Sequence, residues 1–242
     1  VIPASKSPLF CAWFSRHADA RLRRTFGRVF ISGLDHLERA AAEGPVLVVA
    51  NHTAWWDPLL AIWLTNRVIR VDAYAMMDAK NLRRLPFFGK VGAFGVDLDV
   101  PYDGAHGVRY AARLLDRPGR LVWIYPEGRE RSPFEPLELR GGAAIIGRVA
   151  RRAKVVSVGV RYVFAAGELP DVYIAMGPAE PTLRDQDEGL VRQRLGIETQ
   201  LARIDHALRE SDVRAFRTLL ARPQRPLDAW AERMLAFITK WL

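Results

Sequence analysis

Three short apolar runs constrain this chain more than any other feature. They are Val46-Leu47-Val48-Val49-Ala50, Leu121-Val122-Trp123-Ile124-Tyr125 and Val155-Val156-Ser157-Val158-Gly159-Val160. A strand with one solvated face alternates apolar and polar residues, whereas a strand covered on both faces does not. Gly44-Pro45 precedes the first run and Pro118-Gly119 the second, so each is bounded by turn residues. Helical patterns lie between them, and strands alternating with helices predict an α/β fold.

Residues 9–30 are expected to form a first helix. Phe10, Trp13, Phe14, Ala18, Leu22, Phe26 and Val29 recur at spacings of three and four, opposite Arg16, Arg21, Arg23, Arg24 and Arg28. Such an amphipathic segment either lies in a membrane interface or packs on a core with a solvated basic side. Leu34 to Glu43 is a connection with helical character. Asp57-Pro58 starts a helix, since aspartate caps well and proline is tolerated at the first position. A strand is expected over 68–75, then a short helix or loop over Asp78–Arg84. The basic and aromatic stretch Arg83 to Lys90 fits a membrane contact, the rim of an anion pocket or a plain junction. Tyr102-Asp103-Gly104 is expected to be a turn, Gly107 to Leu115 a helix, Arg140 to Ala153 a glycine-led helix and Val172 to Met176 a strand.

From Leu183 charged helices are expected. Val191, Leu195, Ile204 and Leu208 mark one. Ser211-Asp212 caps a second carrying Val213, Phe216, Leu219 and Leu220. Leu227, Trp230, Met234, Phe237, Ile238 and Trp241 mark the last, which either docks on the first helix or meets lipid headgroups. The expected organisation is an amphipathic segment over 1–33, an α/β domain over 34–182 and a helical segment over 183–242, packed on or beside it.

The chain of 242 residues carries a formal net charge of +9, which favours a polyanionic neighbour. Its basic residues are spread along the sequence without a recognised nucleic-acid-binding motif, so no nucleic acid is expected. The single cysteine, Cys11, excludes an internal disulfide. No uncharged apolar stretch approaches the roughly 18 residues of a membrane span, and the first segment lacks signal-peptide order. A cytoplasmic location follows as the expectation.

The first run delivers Asn51-His52 at its carboxyl end, where open α/β sheets keep their ligand sites. On one continuous helix His52 and Asp57 would point about 140° apart. A turn between them lets the carboxylate fix one imidazole tautomer and leave the other nitrogen free. A plain helix cap beside a solvated histidine is the competing reading. Asn-His followed by four residues and Asp, after an apolar strand, resembles the first motif of the glycerolipid acyltransferases, the family containing lysophosphatidic acid acyltransferases.

Two further segments carry the resemblance. Gly92-Ala93-Phe94-Gly95-Val96-Asp97 has the spacing of the second family motif, with Gly95 in the aromatic position and Leu98 in the arginine position. Pro126-Glu127-Gly128-Arg129-Glu130-Arg131-Ser132 is similar to the third motif, Phe-Pro-Glu-Gly-Thr-Arg-Ser. Glu127 and Gly128 match, Arg129 replaces the threonine, and Arg131 supplies a guanidinium one residue late. The resemblance covers roughly 34–180. It implies a central, mostly β sheet flanked by helices, His52 as general base, Asp57 orienting it, and Glu127, Gly128, Arg129 and Arg131 at the acceptor. It also implies an acyl-CoA or acyl-carrier-protein donor rather than a bound cofactor. The five histidines lack ligand spacing, so no metal is expected. The expected partners are a lipid acceptor and an anionic membrane surface, the enzyme lying on the inner face. A non-glycerophosphate acceptor, or a basic membrane-binding protein without catalysis, are the alternatives.

Overall fold

The computed structural model describes residues 1–97, 99–164, 167–222, 231, 233–234 and 236–240. All three apolar runs are strands of one mixed sheet flanked by helices, as the α/β expectation requires. The strands are β1 (Arg28–Ser32), β2 (Val46–Ala50), β3 (Asp72–Asp78), β4 (Ala93–Val96), β5 (Arg120–Ile124), β6 (Lys154–Val163), β7 (Asp171–Met176), β8 (Glu180–Pro181) and β9 (Arg217–Ala221). The helices are α1 (Pro8–Thr25), α2 (Leu34–Glu43), α3 (Asp57–Trp63), α4 (Ala79–Arg84), α5 (Pro101–Leu114), α6 (Gly142–Val149) and α7 (Gln186–Arg209). A π-helical stretch, Leu64–Ile69, continues α3, and a 3-10 turn, Pro86–Val91, follows α4.

The strand order is β4-β3-β5-β2-β6-β7-β1-β9, with β8 beside β6. From β4 to β6 the strands are parallel, whereas β6 and β7, and β1 and β9, pair antiparallel. All of β2 is buried, and its side chains divide between the two faces. Val46, Val48 and Ala50 pack with Leu22, Leu60 and Trp123; Leu47 and Val49 pack with Val122, Ile124 and Ile146. That is why the run shows no alternation.

The sheet parts at one place. β5 pairs with β3 only from Asp72↔Arg120 to Ala75↔Trp123, while β3 continues beside β4 as far as Asp78↔Val96. Beyond Ala75 and Trp123 the two neighbours diverge.

Several local expectations change. The first helix stops at Thr25, with Phe26 in extended conformation, and Val29-Phe30-Ile31 is strand. Those residues gain partners in β7 and β9 that the helical pattern could not anticipate. The stripe Phe14, Ala18, Leu22 turns inward to the core, whereas Leu9 and Trp13 stay 86% and 57% exposed. The helix expected after Ser211 is instead β9, an edge strand that buries Leu220, because β1 offers it a ladder. The strand expected at 68–75 starts at Asp72, since the π-helical stretch occupies Val68 and Ile69. The expected turn at Tyr102 lies within α5, which proline opens.

In α7, Val191 and Leu195 are exposed, and Gly189, Gln193, Ile197, Leu201 and Ile204 face inward. A Cβ on Gly196 would lie 2.2 Å from Ser157 Oγ, and one on Gly159 would lie 2.8 Å from the Leu201 nitrogen. Small residues in β6 and α7 thus let the helix lie directly on the strand. Leu98, Leu227, Trp230 and Trp241 fall outside the described residues; Met234, Phe237 and Ile238 are exposed. Among the described residues no helix is long and apolar enough to cross a membrane.

Candidate active site

β2 and β5 are neighbours in register from Val46↔Leu121 to Val49↔Ile124. Continuing that register past the strand ends sets His52 beside Glu127, although 75 residues separate them. The His52 N–H donates to Glu127 Oε2 at 2.7 Å, and the Arg131 N–H donates to the His52 carbonyl at 2.8 Å. Across β2, the buried Asn51 side chain donates to the Val160 carbonyl at 3.1 Å and accepts from the Val160 N–H at 2.8 Å. It replaces a peptide group where the β2–β6 ladder ends at Ala50↔Val158. Asn51 is therefore a strap between strands, a role its spacing in the motif does not reveal.

Asp57, the first residue of α3, is 2% exposed. The turn bends it back under its own backbone, so Oδ2 accepts from the Thr53 N–H at 2.8 Å, the Ala54 N–H at 3.0 Å and His52 Nδ1 at 2.8 Å. Oδ1 accepts from the Tyr162 hydroxyl. An oxygen already holding two backbone donors is an acceptor toward the ring. Nδ1 therefore carries the proton, and Nε2 is left with its lone pair on the far edge of the imidazole. Tyr125 stacks on that ring with centroids 4.4 Å apart. Burial, then the Asp57 charge, push both phenols well above the usual tyrosine value.

No sequence pattern pairs Tyr162 with Asp57; only β6, which extends past Asn51, brings it there. The Thr53 and Ala54 N–H groups are consumed by Asp57 and are not available to a developing oxyanion.

Glu127 is 7% exposed. Burial pushes its carboxyl up from the ordinary value, opposed by the His52 N–H and the Arg131 charge. Gly128 has φ +73°, and a Cβ there would lie 3.0 Å from Arg140 Nε. A glycine in left-handed conformation lets the Arg140 side chain lie across the loop.

The third-motif guanidiniums separate. Arg131 Nη1 donates to Glu138 Oε2 at 2.7 Å and its Nε, buried without a hydrogen bond among the described residues, lies 3.3 Å from Glu135 Oε2, so its head pairs with acids of its own loop. Arg129 instead lines a cavity of about 440 Å³, together with His52, Gly128, Arg84 and Arg140. This cavity opens where β3 and β5 part. Its inner wall is apolar, built from Ala61, Ile62, Ala75, Met77, Phe88 and Trp123, and its basic residues lie on the side of the third-motif loop and α4. Trp123 Nε1 and the Tyr125 hydroxyl, both on lining residues, are buried without a protein partner among the described residues. Arg84 and Phe88 thus resolve the Arg83–Lys90 stretch as part of the cavity wall.

A histidine with a fixed tautomer, backed by a carboxylate and lining a cavity that also carries apolar side chains and arginines, is an arrangement able to accept a proton from a bound hydroxyl. The model of the Acyltransferase family matches residues 28–163, and the chain belongs to that family. Comparison with curated proteins gave no match. Among solved structures the fold is similar to that of the 1-acyl-sn-glycerophosphate (LPA) acyltransferase PlsC from Thermotoga maritima. The TM-score is 0.58 at 14% identity, covering 82% of this chain and 79% of that one. The family expected from the first and third motifs is thus the family found.

Proposed function

We propose that this protein is a membrane-peripheral O-acyltransferase that moves a fatty acyl group from a thioester to the hydroxyl of a phosphate-bearing lipid or glycerol-phosphate acceptor. The observation that carries the reading is the His52–Asp57 pair at the wall of a cavity lined by both apolar side chains and arginines. His52 Nε2 takes the proton of the acceptor hydroxyl, and the oxygen attacks the thioester carbonyl. The tetrahedral intermediate collapses with cleavage of the carbon–sulfur bond, and the thiolate leaves, protonated by the imidazolium. Asp57 holds the ring and offsets its transient charge. The apolar wall suits an acyl chain. Arg84, Arg129 and Arg140 suit an anionic group, since guanidinium pairs with phosphate oxygens in bidentate fashion.

Support for membrane contact comes from Leu9, Trp13 and Trp55, which are exposed, and from the arginines of α1. The net charge of +9 would draw the chain to an anionic leaflet, which supports a place on the inner face of the membrane.

Free-thiol release from long-chain acyl-CoA, and then from acyl-carrier protein, tests the reading. The acceptor panel holds glycerol 3-phosphate, lysophosphatidic acid, lyso-ornithine lipid and a glycolipid. Release that requires a phosphate acceptor is expected, with His52→Ala lowering it by roughly 100- to 10,000-fold. Undiminished release in that variant overturns the mechanism. Release with only the ornithine lipid or glycolipid keeps the chemistry and changes the acceptor.

A further inference from the structure

A second cavity, of about 280 Å³, lies between α1 and the π-helical stretch, with no residue shared with the first. Arg16, Arg67 and Arg70 stand around it, and Ser15, Cys11 and Asn66 line it further. None of the three guanidiniums forms an ion pair among the described residues. Asp19, whose charge Arg67 feels, is already engaged by Arg23 at 2.9 Å and by Trp63 Nε1 at 2.9 Å. Asp72, the other acid of this region, is taken by Lys6 and Arg120. Three cations therefore surround one opening, and none of them has an ion-pair partner among the described residues.

The backbone at this place breaks two local rules. π-Helical turns are rare and concentrate at functional sites. Arg70, which ends this one, has φ 60° and ψ 54°, a left-handed conformation suited to glycine or asparagine. The Arg70 N–H and the Val71 N–H both reach the Thr65 carbonyl, which holds the strained turn in place. A residue chosen for stability here would be glycine or asparagine; an arginine is a local departure without a structural gain.

We propose that this cavity is a second binding site, distinct from the acyl-transfer cavity, for the phosphate of an anionic ligand. Its chemistry is that of a phosphate monoester or diester held by several guanidiniums. Two sources share that chemistry, a phospholipid headgroup and a free phosphate. On α1, Leu9, Trp13 and Arg16 follow one another at spacings of four and three, so an exposed apolar stripe leads directly to the cavity's edge. That stripe gives the acyl chains of a lipid a place beside its headgroup. The proposal does not depend on the assignment of His52.

Two titrations of the full chain test it. One is calorimetry with inorganic phosphate. The other is co-sedimentation with phosphatidylcholine vesicles containing phosphatidic acid. The variant is Arg67→Gln/Arg70→Asn, asparagine being chosen because it accepts the left-handed backbone. Arg21→Gln/Arg24→Gln, on the same helix as Arg16 but away from the cavity, changes the net charge equally. Vesicle binding is expected to weaken about tenfold more in the first double variant than in the second. A tenfold difference with vesicles alone identifies a lipid headgroup. Loss of inorganic-phosphate binding in the first variant alone, with equal vesicle binding, identifies free phosphate. Equal losses in both variants with vesicles, and no arginine-dependent heat with phosphate, overturn the site. Should the first variant melt early, Arg16→Gln removes the opposite wall and is read in the same two titrations.

Discussion

Two buried carboxylates sit at adjacent strand ends and are held in opposite ways. The turn after β2 gives Asp57 four donors spread over both oxygens. The loop after β5 gives Glu127 one donor, the His52 N–H, and burial raises its pKa. Asp57 is built to stay an acceptor beneath the imidazole. Glu127 is left with a carboxyl oxygen that the described residues do not occupy. The first arrangement fixes a ring; the second pins a loop and keeps capacity in reserve.

The largest test of this contrast is at Asp57. Asp57→Asn keeps size and shape but presents an amide to Nδ1, which favours the wrong tautomer. Turnover should fall roughly 100- to 10,000-fold in the thiol-release assay, with little change in substrate affinity. A variant with normal turnover would reduce Asp57 to a brace of the turn between β2 and α3. Tyr162→Phe removes one of the four donors. It should cost about tenfold in turnover, the worth of one hydrogen bond to a charged acceptor. Undiminished turnover would make Tyr162 a packing residue only.

At the basic end the prediction separates Arg131, which belongs to the third motif, from Arg140, which no motif marks. Arg140→Ala should raise the acceptor Michaelis constant about tenfold, the loss of one charge-assisted contact. Arg131→Ala should leave it within about twofold, because its guanidinium is already engaged by Glu135 and Glu138 on an exposed loop. The reverse order would return Arg131 to the acceptor.

The strands that carry the site were legible because both faces are covered, so Val46–Ala50 and Leu121–Tyr125 show a pattern that helices of this length do not. The His52–Asp57 pair was legible for a related reason: a local turn needs only local residues. Tyr162 and Arg140 were not. Each reaches the site through a register or loop path set by residues far away in sequence, and neither belongs to a periodic pattern. The edge strand β9 failed for the same cause. Val213, Phe216, Leu219 and Leu220 fit helical spacing, but β1 offers a ladder partner that no local pattern encodes. Arg131 shows the converse, a residue marked by a motif whose guanidinium pairs with Glu135 and Glu138 of its own loop.

The finest test returns to Glu127. Its pKa in the fold lies above the ordinary value of 4.5, chiefly through burial. A carboxyl raised in this way contributes stability below its unfolded value and loses it as pH climbs through the folded value. Wild-type protein should therefore lose stability relative to Glu127→Gln as pH rises above about 4.5, the unfolded value. Glutamine keeps a carbonyl oxygen to accept the His52 N–H, so the loop remains pinned and the comparison isolates the charge. The difference in melting temperature, wild type minus variant, is expected to fall across that window and then level off. A difference that instead rises with pH would mean that Glu127 is stabilised as a carboxylate. The contrast between the two strand ends would then be one of position rather than of ionisation.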